Sequence, residues 1–226
     1  RYPERAQGNS KEFLSLPSLN DILDEKGLFL DAEIEIDRHS RAYSARILFQ
    51  RQQANWVVQH PAPQPLSSKE LDDLYKLPFT RLPHPEDQQI PAFQMIRDSV
   101  TIVRGCAGNC SFCAIATHPG PALISRSKES IVRECEEISE MKGFGGTISD
   151  LGGPTANLYG TRCSIGSCKK RDCLFPKLCA NLEIDEDLFL DLLKDVSSLP
   201  AVRHLFISSG LRMELLLRTP RLMKKI

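Results

Sequence analysis

No stretch of this 226-residue sequence is apolar for long enough to span a bilayer as a helix. Net charge is absent too: Lys plus Arg and Asp plus Glu stand at 29 each, so a broad basic footprint for nucleic acid or a membrane surface is not to be expected. Internal repeats and low-complexity tracts are missing. The opening Arg1-Tyr2-Pro3-Glu4-Arg5 holds neither the apolar core of a secretory signal nor an initiator Met. The true start is therefore expected upstream, and the location is read as cytoplasmic. Residues 1–98 contain no cysteine. What is present is ordinary globular composition, 41% hydrophobic and 26% charged, enough for one sizeable core or two small ones.

The cysteines that do occur are crowded. Seven of the eight fall in two groups, 106, 110, 113 and 163, 168, 173, 179, with Cys135 alone. A secreted disulfide framework fits poorly, because such domains are small and nothing here marks secretion. Clustered thiols in an intracellular chain are more often metal ligands. The first group reads Cys106-Ala107-Gly108-Asn109-Cys110-Ser111-Phe112-Cys113, a C-x3-C-x2-C spacing. Three thiolates can hold a four-iron cluster and leave its fourth iron open for chemistry, as a three-ligand zinc keeps a position for substrate. A zinc loop or a redox thiol pair are the other readings of the triplet. Gly105 and Gly108 suit a short loop that wraps a cubane, with N–H groups turned to the sulfurs. Phe112 could shield the cluster or pack on a ligand's ring.

The chain around it is organised in two textures. Before residue 99 lies a mixed, proline-rich region. It holds a short helix near Leu19–Leu23 that stops by Gly27, an ambiguous stretch from Leu28 to Ile36, and paired strands at 47–49 and 56–58. An extended link follows at Pro61, Pro63 and Pro65, then a helix from Lys69 to Leu77 capped by Ser68, and a second link at Pro83, Pro85 and Pro91. From Ser99 the pattern is strand, helix, strand, helix, strand. The strands are Ser99–Val103, Thr147–Ser149 and His204–Ser208. The helices are capped by Ser127 and Asp185 and carry apolar stripes Ile131, Val132, Cys135, Ile138, Met141 and Leu188, Phe189, Leu192, Leu193, Val196; a last helical run begins at Leu211. Such alternation gives an α/β fold with a parallel sheet. Its strand-exit loops, at the cysteine triplet, at Gly152-Gly153 and at Ser208-Ser209, should share one rim.

A C-x3-C-x2-C after strand one and a Gly-Gly turn after strand two resemble the radical S-adenosylmethionine (SAM) superfamily. Arg104-Gly105-Cys106, Ser125-Arg126-Ser127, the run from Ile148 to Asn157, Ser208-Ser209-Gly210-Leu211-Arg212, the lead-in from Leu77 to Pro85, and Cys173-Leu174-Phe175-Pro176 with Cys179 narrow the likeness to YgiQ-type radical SAM proteins. The resemblance runs from about Pro61 to Arg221. It implies a partial (β/α) barrel, of which residues 99–226 supply about three units with a cysteine-rich insertion at about 157–182, so that the chain reads as a central fragment, expected to fold poorly or be inactive alone. It implies a [4Fe-4S] cluster on Cys106, Cys110 and Cys113, with SAM contacted by Gly152, Gly153 and Phe112. It also implies reductive cleavage of SAM to a 5′-deoxyadenosyl radical, an unknown substrate, and an electron donor such as flavodoxin or ferredoxin. No protein side chain is assigned a catalytic role. Ser208, Ser209 and Arg212 are candidates to reach the cofactor's ribose or carboxylate, or else a strand end, a helix cap and a solvated charge. Cys163, Cys168, Cys173 and Cys179 could close a second cluster or a structural zinc site, eased by Lys169, Lys170 and Arg171, or could be plain thiols. Cys135 is read as core packing. The competing functions are an electron-transfer or structural protein with two metal centres, and a zinc-stabilised binding module.

Overall fold

A computed structural model describes residues 12–40, 46–84, 86, 90–166, 168, 170 and 172–226. Arg1–Arg5, Pro85, Lys169 and Arg171 lie outside these. The chain divides into two compact units, one of the described residues before Pro65 with those between 166 and 170, the other of the rest.

In the first unit, β1 (Phe13–Ser15) is followed by α1 (Leu19–Asp24), α2 (Gly27–Ser40), β2 (Ile47–Gln52) and β3 (Asn55–Gln59). β2 pairs with β1 in parallel and with β3 antiparallel. Ser18 caps α1 in a reciprocal capping box with Asp21. The ambiguous stretch 28–36 is helical. Leu14, Leu16 and Leu48 bury against Ile36, and the Phe49 ring stands between Phe13, at 5.5 Å, and Trp56, at 6.5 Å.

The second unit starts with α3 (Ser68–Leu74) and α4 (Phe93–Ile96). The cap of α3 is Ser67 rather than Ser68. Glu70 stands three residues after Ser67, and the two close a capping box that fixes the start one residue early. The helix also ends three residues short of Leu77, with Tyr75 as its C-cap. Then come β4 (Ser99–Thr101), β5 (Val103–Arg104), β6 (Ile124–Ser125), α5 (Lys128–Glu140), β7 (Thr147–Ile148), β8 (Asp150–Gly152), a 3-10 turn (Ala156–Leu158), β9 (Thr161–Cys163), β10 (Leu182–Ile184), α6 (Glu186–Ser197), β11 (His204–Leu205), α7 (Met213–Leu216) and α8 (Pro220–Lys225). Ser127 and Asp185 cap α5 and α6 by accepting from the N–H groups of Ser130 and Leu188. Where one helical run was expected from Leu211 there are two. Pro220 has no N–H to continue the first and turns Thr219 out of the helical region.

The 147–152 segment is central. β8 pairs in parallel with β4, placing Thr101 opposite Gly152. β7 pairs in parallel with β11, placing Ile148 opposite Leu205. Ser149 N–H to Asp98 O (3.0 Å) and Leu151 N–H to Phe206 O (2.9 Å) carry both pairings through the segment. The three parallel strands are thus neighbours in chain order, joined by stretches that contain α5 and α6, and the α/β class stands. Their core is Val100, Ile102, Ile148 and Leu151 from the strands with Ile131, Cys135, Ile138, Phe189, Leu192 and Val196 from the helices, all fully or almost fully buried. Each such aliphatic or aromatic side chain contributes about 1.5–3 kcal/mol.

Strand one does not run to Val103 as a single piece. After Ile102 the chain turns, and β5 pairs antiparallel with β6. Beneath this turn lies a buried charge network. Arg126 donates to Thr101 O, Ser130 O, Ser130 Oγ and the Glu134 carboxylate, and its guanidinium carbon is 3.7 Å from the Tyr75 ring centroid. Arg81 donates to the same carboxylate and to Arg97 O and Ser99 O. Ser127 N–H reaches Asp72 Oδ1 at 3.0 Å. The proline-rich lead-in is therefore fastened to the first strand.

Candidate functional site

The thiol loop begins at Gly105, whose φ is +81°. A Cβ there would stand 1.8 Å from Ala122 O, so glycine is required by both conformation and space. Cys106 N–H donates to Gly120 O (3.2 Å) and Cys113 N–H to Cys110 O (3.0 Å). All three thiols are half-buried and outside any disulfide. Burial pushes the Cys106 thiol up; the Gly108 N–H bond and the Arg212 charge pull the other way, while Cys110 and Cys113 lie near enough to oppose its ionisation. Gly108 has no unusual φ. Its missing side chain leaves ordinary contact distance to Leu174 (3.5 Å) and to the Arg212 guanidinium (3.7 Å). Phe112 is 90% exposed at the loop's edge.

The exits of strands two and three are tied to each other and to this loop. Asp150 Oδ1 accepts from Ser208 N–H (2.7 Å) and Ser209 N–H (3.0 Å), and Ser209 Oγ accepts from Gly153 N–H (3.3 Å). Asn157 exchanges two 2.9 Å bonds with the Arg212 backbone. Thr155 Oγ1 and Ala156 N–H both reach Gly210 O. Arg212 Nη1 then lies 3.3 Å from Cys110 Sγ. A Cβ on Gly152 would meet Ser209 Oγ at 1.9 Å, and one on Gly153 would meet Val103 O at 2.6 Å. Both glycines are thus demanded first by close chain packing. Both also line a cavity of about 300 Å³, together with Thr101, Val103 and Asp150 and, from the thiol loop, Gly105 and Ile115. That volume is at the small end of the range for ligand sites, about 300–1,000 Å³. Cys106, Cys110, Cys113, Phe112 and Arg212 do not line it. The Ser208 hydroxyl is engaged with Ser149 O and the Ser209 hydroxyl with Gly153, the strand-end role.

The cysteine-rich stretch is partly docked on the thiol loop. Cys173 N–H donates to Ala107 O (2.8 Å), Cys179 N–H to Cys173 O (2.8 Å), and Asn109 N–H to Asp172 Oδ2 (3.2 Å). Asp172 Oδ1 also accepts from Leu174 and Phe175. Burial works against ionisation of Asp172, but these three N–H groups and Arg212 outweigh it and hold its carboxyl below the usual range. Cys163 sits in β9 opposite Leu182, and Cys168 is exposed and belongs to the first unit. Cys135 is wholly buried, with its thiol pushed up to about 12 by desolvation.

Among the described residues, no set of three or more His, Cys, Asp or Glu side chains could hold one metal ion. A four-iron cluster makes a different demand, since each thiolate binds its own iron and the ligands stand wider apart. Three unpaired thiols on one loop, with a backbone N–H and a guanidinium turned to two of the sulfurs, suit such a group. Asp150, Asp172 and the placing of Arg212 against Cys110 escaped the reading of the sequence; only the short distance from Asp150 to Gly152 gave any local signal.

Residues 2–99 match the family model described as "Radical SAM N-terminal" and residues 100–225 that of the "Radical SAM superfamily". The chain is 40% identical over 219 residues to a UPF0313 protein of Methanocella arvoryzae, covering 95% of this chain and 37% of that one. It is 39% identical over 223 residues to a UPF0313 protein of Pseudomonas syringae pv. tomato, covering 96% and 29%. It is 36% identical over 231 residues to the UPF0313 protein YgiQ of Salmonella typhimurium, covering 99% and 32%. The chain spans about a third of the length of these curated relatives. No helix among the described residues is long and apolar enough to cross a membrane.

Proposed function

The chain belongs to the radical SAM superfamily, and from that premise we propose that Cys106, Cys110 and Cys113 hold a [4Fe-4S] cluster and that SAM occupies the cavity beside Gly152 and Gly153. Members of the superfamily use this cluster and this cosubstrate. Bound together, the two supply transfer of one electron from the reduced cluster to the sulfonium, which breaks its bond to the 5′-carbon and gives methionine and a 5′-deoxyadenosyl radical for hydrogen abstraction from a substrate. The protein's part is to bind, orient and exclude water. The three parallel units are read as part of a (β/α) barrel of radical SAM type, residues 99–226, with the cysteine-rich stretch at about 157–182 as an insertion and residues 1–98 as a family-specific lead-in.

Gly105 sets the loop's entry, and Asp150 and Ser209 fix the glycine turn against the exit of strand three. Phe112 is exposed and outside the cavity's lining, so it would have to fold over the mouth to cover a ligand's ring. A low-potential one-electron donor such as flavodoxin or ferredoxin would serve as partner in the cytoplasm. The observation that carries the reading is that Gly105 and Ile115, which flank the three cysteines, meet the Gly-Gly turn around one cavity.

Anaerobic reconstitution with iron and sulfide tests it. Because the chain spans about a third of its relatives, the full-length protein is the one to use: its wild type should turn brown, hold four irons in the triplet site, and form 5′-deoxyadenosine from SAM with dithionite. Replacing Cys106, Cys110 and Cys113 by serine together should abolish both. A colourless zinc-loaded protein, or a brown one that leaves SAM intact, would overturn the proposal.

A further inference from the structure

Arg212 is placed beside the thiol loop by contacts that have nothing to do with its charge. Its N–H and C=O are both taken by the buried Asn157 side chain at 2.9 Å, so the backbone has one register against the 3-10 turn. From there the side chain reaches across to a residue 102 positions earlier: Nη1 donates to Cys110 Sγ at 3.3 Å. Nη2 donates to Glu214 Oε1 at 3.0 Å, which holds the fork in plane. Nε is buried without a hydrogen-bond partner. Gly108 leaves space for the fork, whose Nη1 would be 3.7 Å from a Cβ there. The guanidinium thus faces the sulfur side of the loop. It does not line the cavity next to Gly152 and Gly153, and its two terminal nitrogens are already engaged.

A cation donating to a ligand sulfur has a definite electrostatic consequence. One-electron reduction adds one negative charge to the cluster and its thiolates, with no proton moved and no bond broken. A hydrogen bond and a positive charge at a ligand sulfur stabilise the more negative state, so they raise the reduction potential. We propose that Arg212 is a positioning residue for the cluster: it fixes Cys110 Sγ and raises the potential at which the cluster accepts its electron. This rests on the triplet binding the cluster, and it adds a role for strand three that contact with SAM would not give.

The test uses the reconstituted wild type, Arg212→Gln, Arg212→Lys and Glu214→Gln, without SAM. Iron and sulfide content is measured first. Potentiometric titration with dithionite is then followed by electron paramagnetic resonance. Arg212→Gln should keep the wild-type iron content, and at a fixed potential its ratio of reduced to oxidised cluster should fall about tenfold, which is about 59 mV for one electron. Arg212→Lys, which keeps the charge and loses the fork, should fall by less. Glu214→Gln removes a negative charge and should shift the potential the other way. An intact cluster in Arg212→Gln with an unshifted potential overturns the inference. So do equal shifts in the same direction for Arg212→Gln and Glu214→Gln, which mean general loosening. Where Arg212→Gln fails to retain iron, the opposed signs of Arg212→Lys and Glu214→Gln decide. A wild type that takes up no iron overturns the cluster reading itself, an outcome distinct from all of these.

Discussion

Glu134 is the residue whose loss should cost the fold most for the fewest atoms changed. Its carboxylate accepts from Arg126 on one side and Arg81 on the other, and the Arg126 side chain is almost wholly buried. Burial already depresses Arg126 to about 10, so at neutral pH it stays charged and cannot escape by losing a proton. Removing one partner of a buried pair leaves an uncompensated charge, a loss of about 3–5 kcal/mol. Glu134→Gln keeps an oxygen that can accept from one arginine and should fall near the lower end; Glu134→Ala should reach the upper end. Arg126 retains Thr101 O, Ser130 O and Ser130 Oγ, which is why the loss should not exceed that range. Urea unfolding followed by far-ultraviolet circular dichroism reads the change as a lower midpoint with an unaltered slope. Trp56, the chain's one tryptophan, lies in the other unit, so its fluorescence is an internal control that should move less. Glu140→Gln, on the exposed end of the same helix, should stay within about 0.5 kcal/mol of wild type. If Glu134→Gln also stays within that limit, the network is solvated and the reasoning is wrong.

Gly105→Ala must adopt a left-handed conformation that costs about 1–2 kcal/mol and drive its methyl into a backbone carbonyl; it should lower both the unfolding midpoint and iron uptake, while Gly108→Ala, with only ordinary contacts, should leave both nearly unchanged. In the protein without iron, timed alkylation with peptide mapping should label exposed Cys168 quickly and leave Cys135, buried and raised to about 12, unmodified until unfolding; equal rates would contradict this packing. Desolvation works to raise Glu186, but the Leu222 N–H, 2.7 Å from Oε1, and Arg221 outweigh it and hold the carboxyl below its ordinary 4.5. That tie of α8 to α6 is therefore present above pH 4.5 and is lost as pH falls through the lowered value. Protection of the Leu222 amide, measured against its intrinsic exchange rate at each pH, should fall over that window, and Glu186→Gln should remove the dependence.

Much of this was legible in the chain. Ser127 and Asp185 announced α5 and α6 because a cap and an apolar stripe are local signals; α5 buries Ile131, Cys135 and Ile138 and α6 buries Phe189, Leu192, Leu193 and Val196, while Val132, Leu188 and the C-cap Met141 are only half-buried. The failures are of other kinds. Ser67 and Ser68 differ only in what stands three residues on, and Glu70 decides for Ser67. The stretch 28–36 alternates apolar and polar residues in a way that satisfies both periods, and only packing of Ala32 and Ile36 settles it as helix. β1 is three residues long and exists by virtue of its partner β2. The charge network and the Arg212–Cys110 bond join residues 55 and 102 positions apart at their widest, and no local pattern encodes them.

The polar residues after strand two have a purpose that motif matching obscures. Asp150, Thr155 and Asn157 spend their hydrogen bonds on the exit of strand three, not on the cavity. An irregular loop that must hold three sulfurs in fixed relation has few backbone bonds of its own, so its geometry has to be imposed by neighbours. Two neighbours do so here. Asp172 and the chain through Cys173 grip the loop at Asn109 and Ala107, and Arg212 grips it at Cys110. Arg212 is in turn registered by Asn157, so the motif of strand two acts on the thiols through strand three. It follows that Asn157→Ala, which touches neither sulfur nor cavity, should loosen Arg212 and lower the potential of the proposed cluster in the same direction as Arg212→Gln. A potential unchanged in Asn157→Ala, with iron content and fold intact, would show that the guanidinium finds its place without that register.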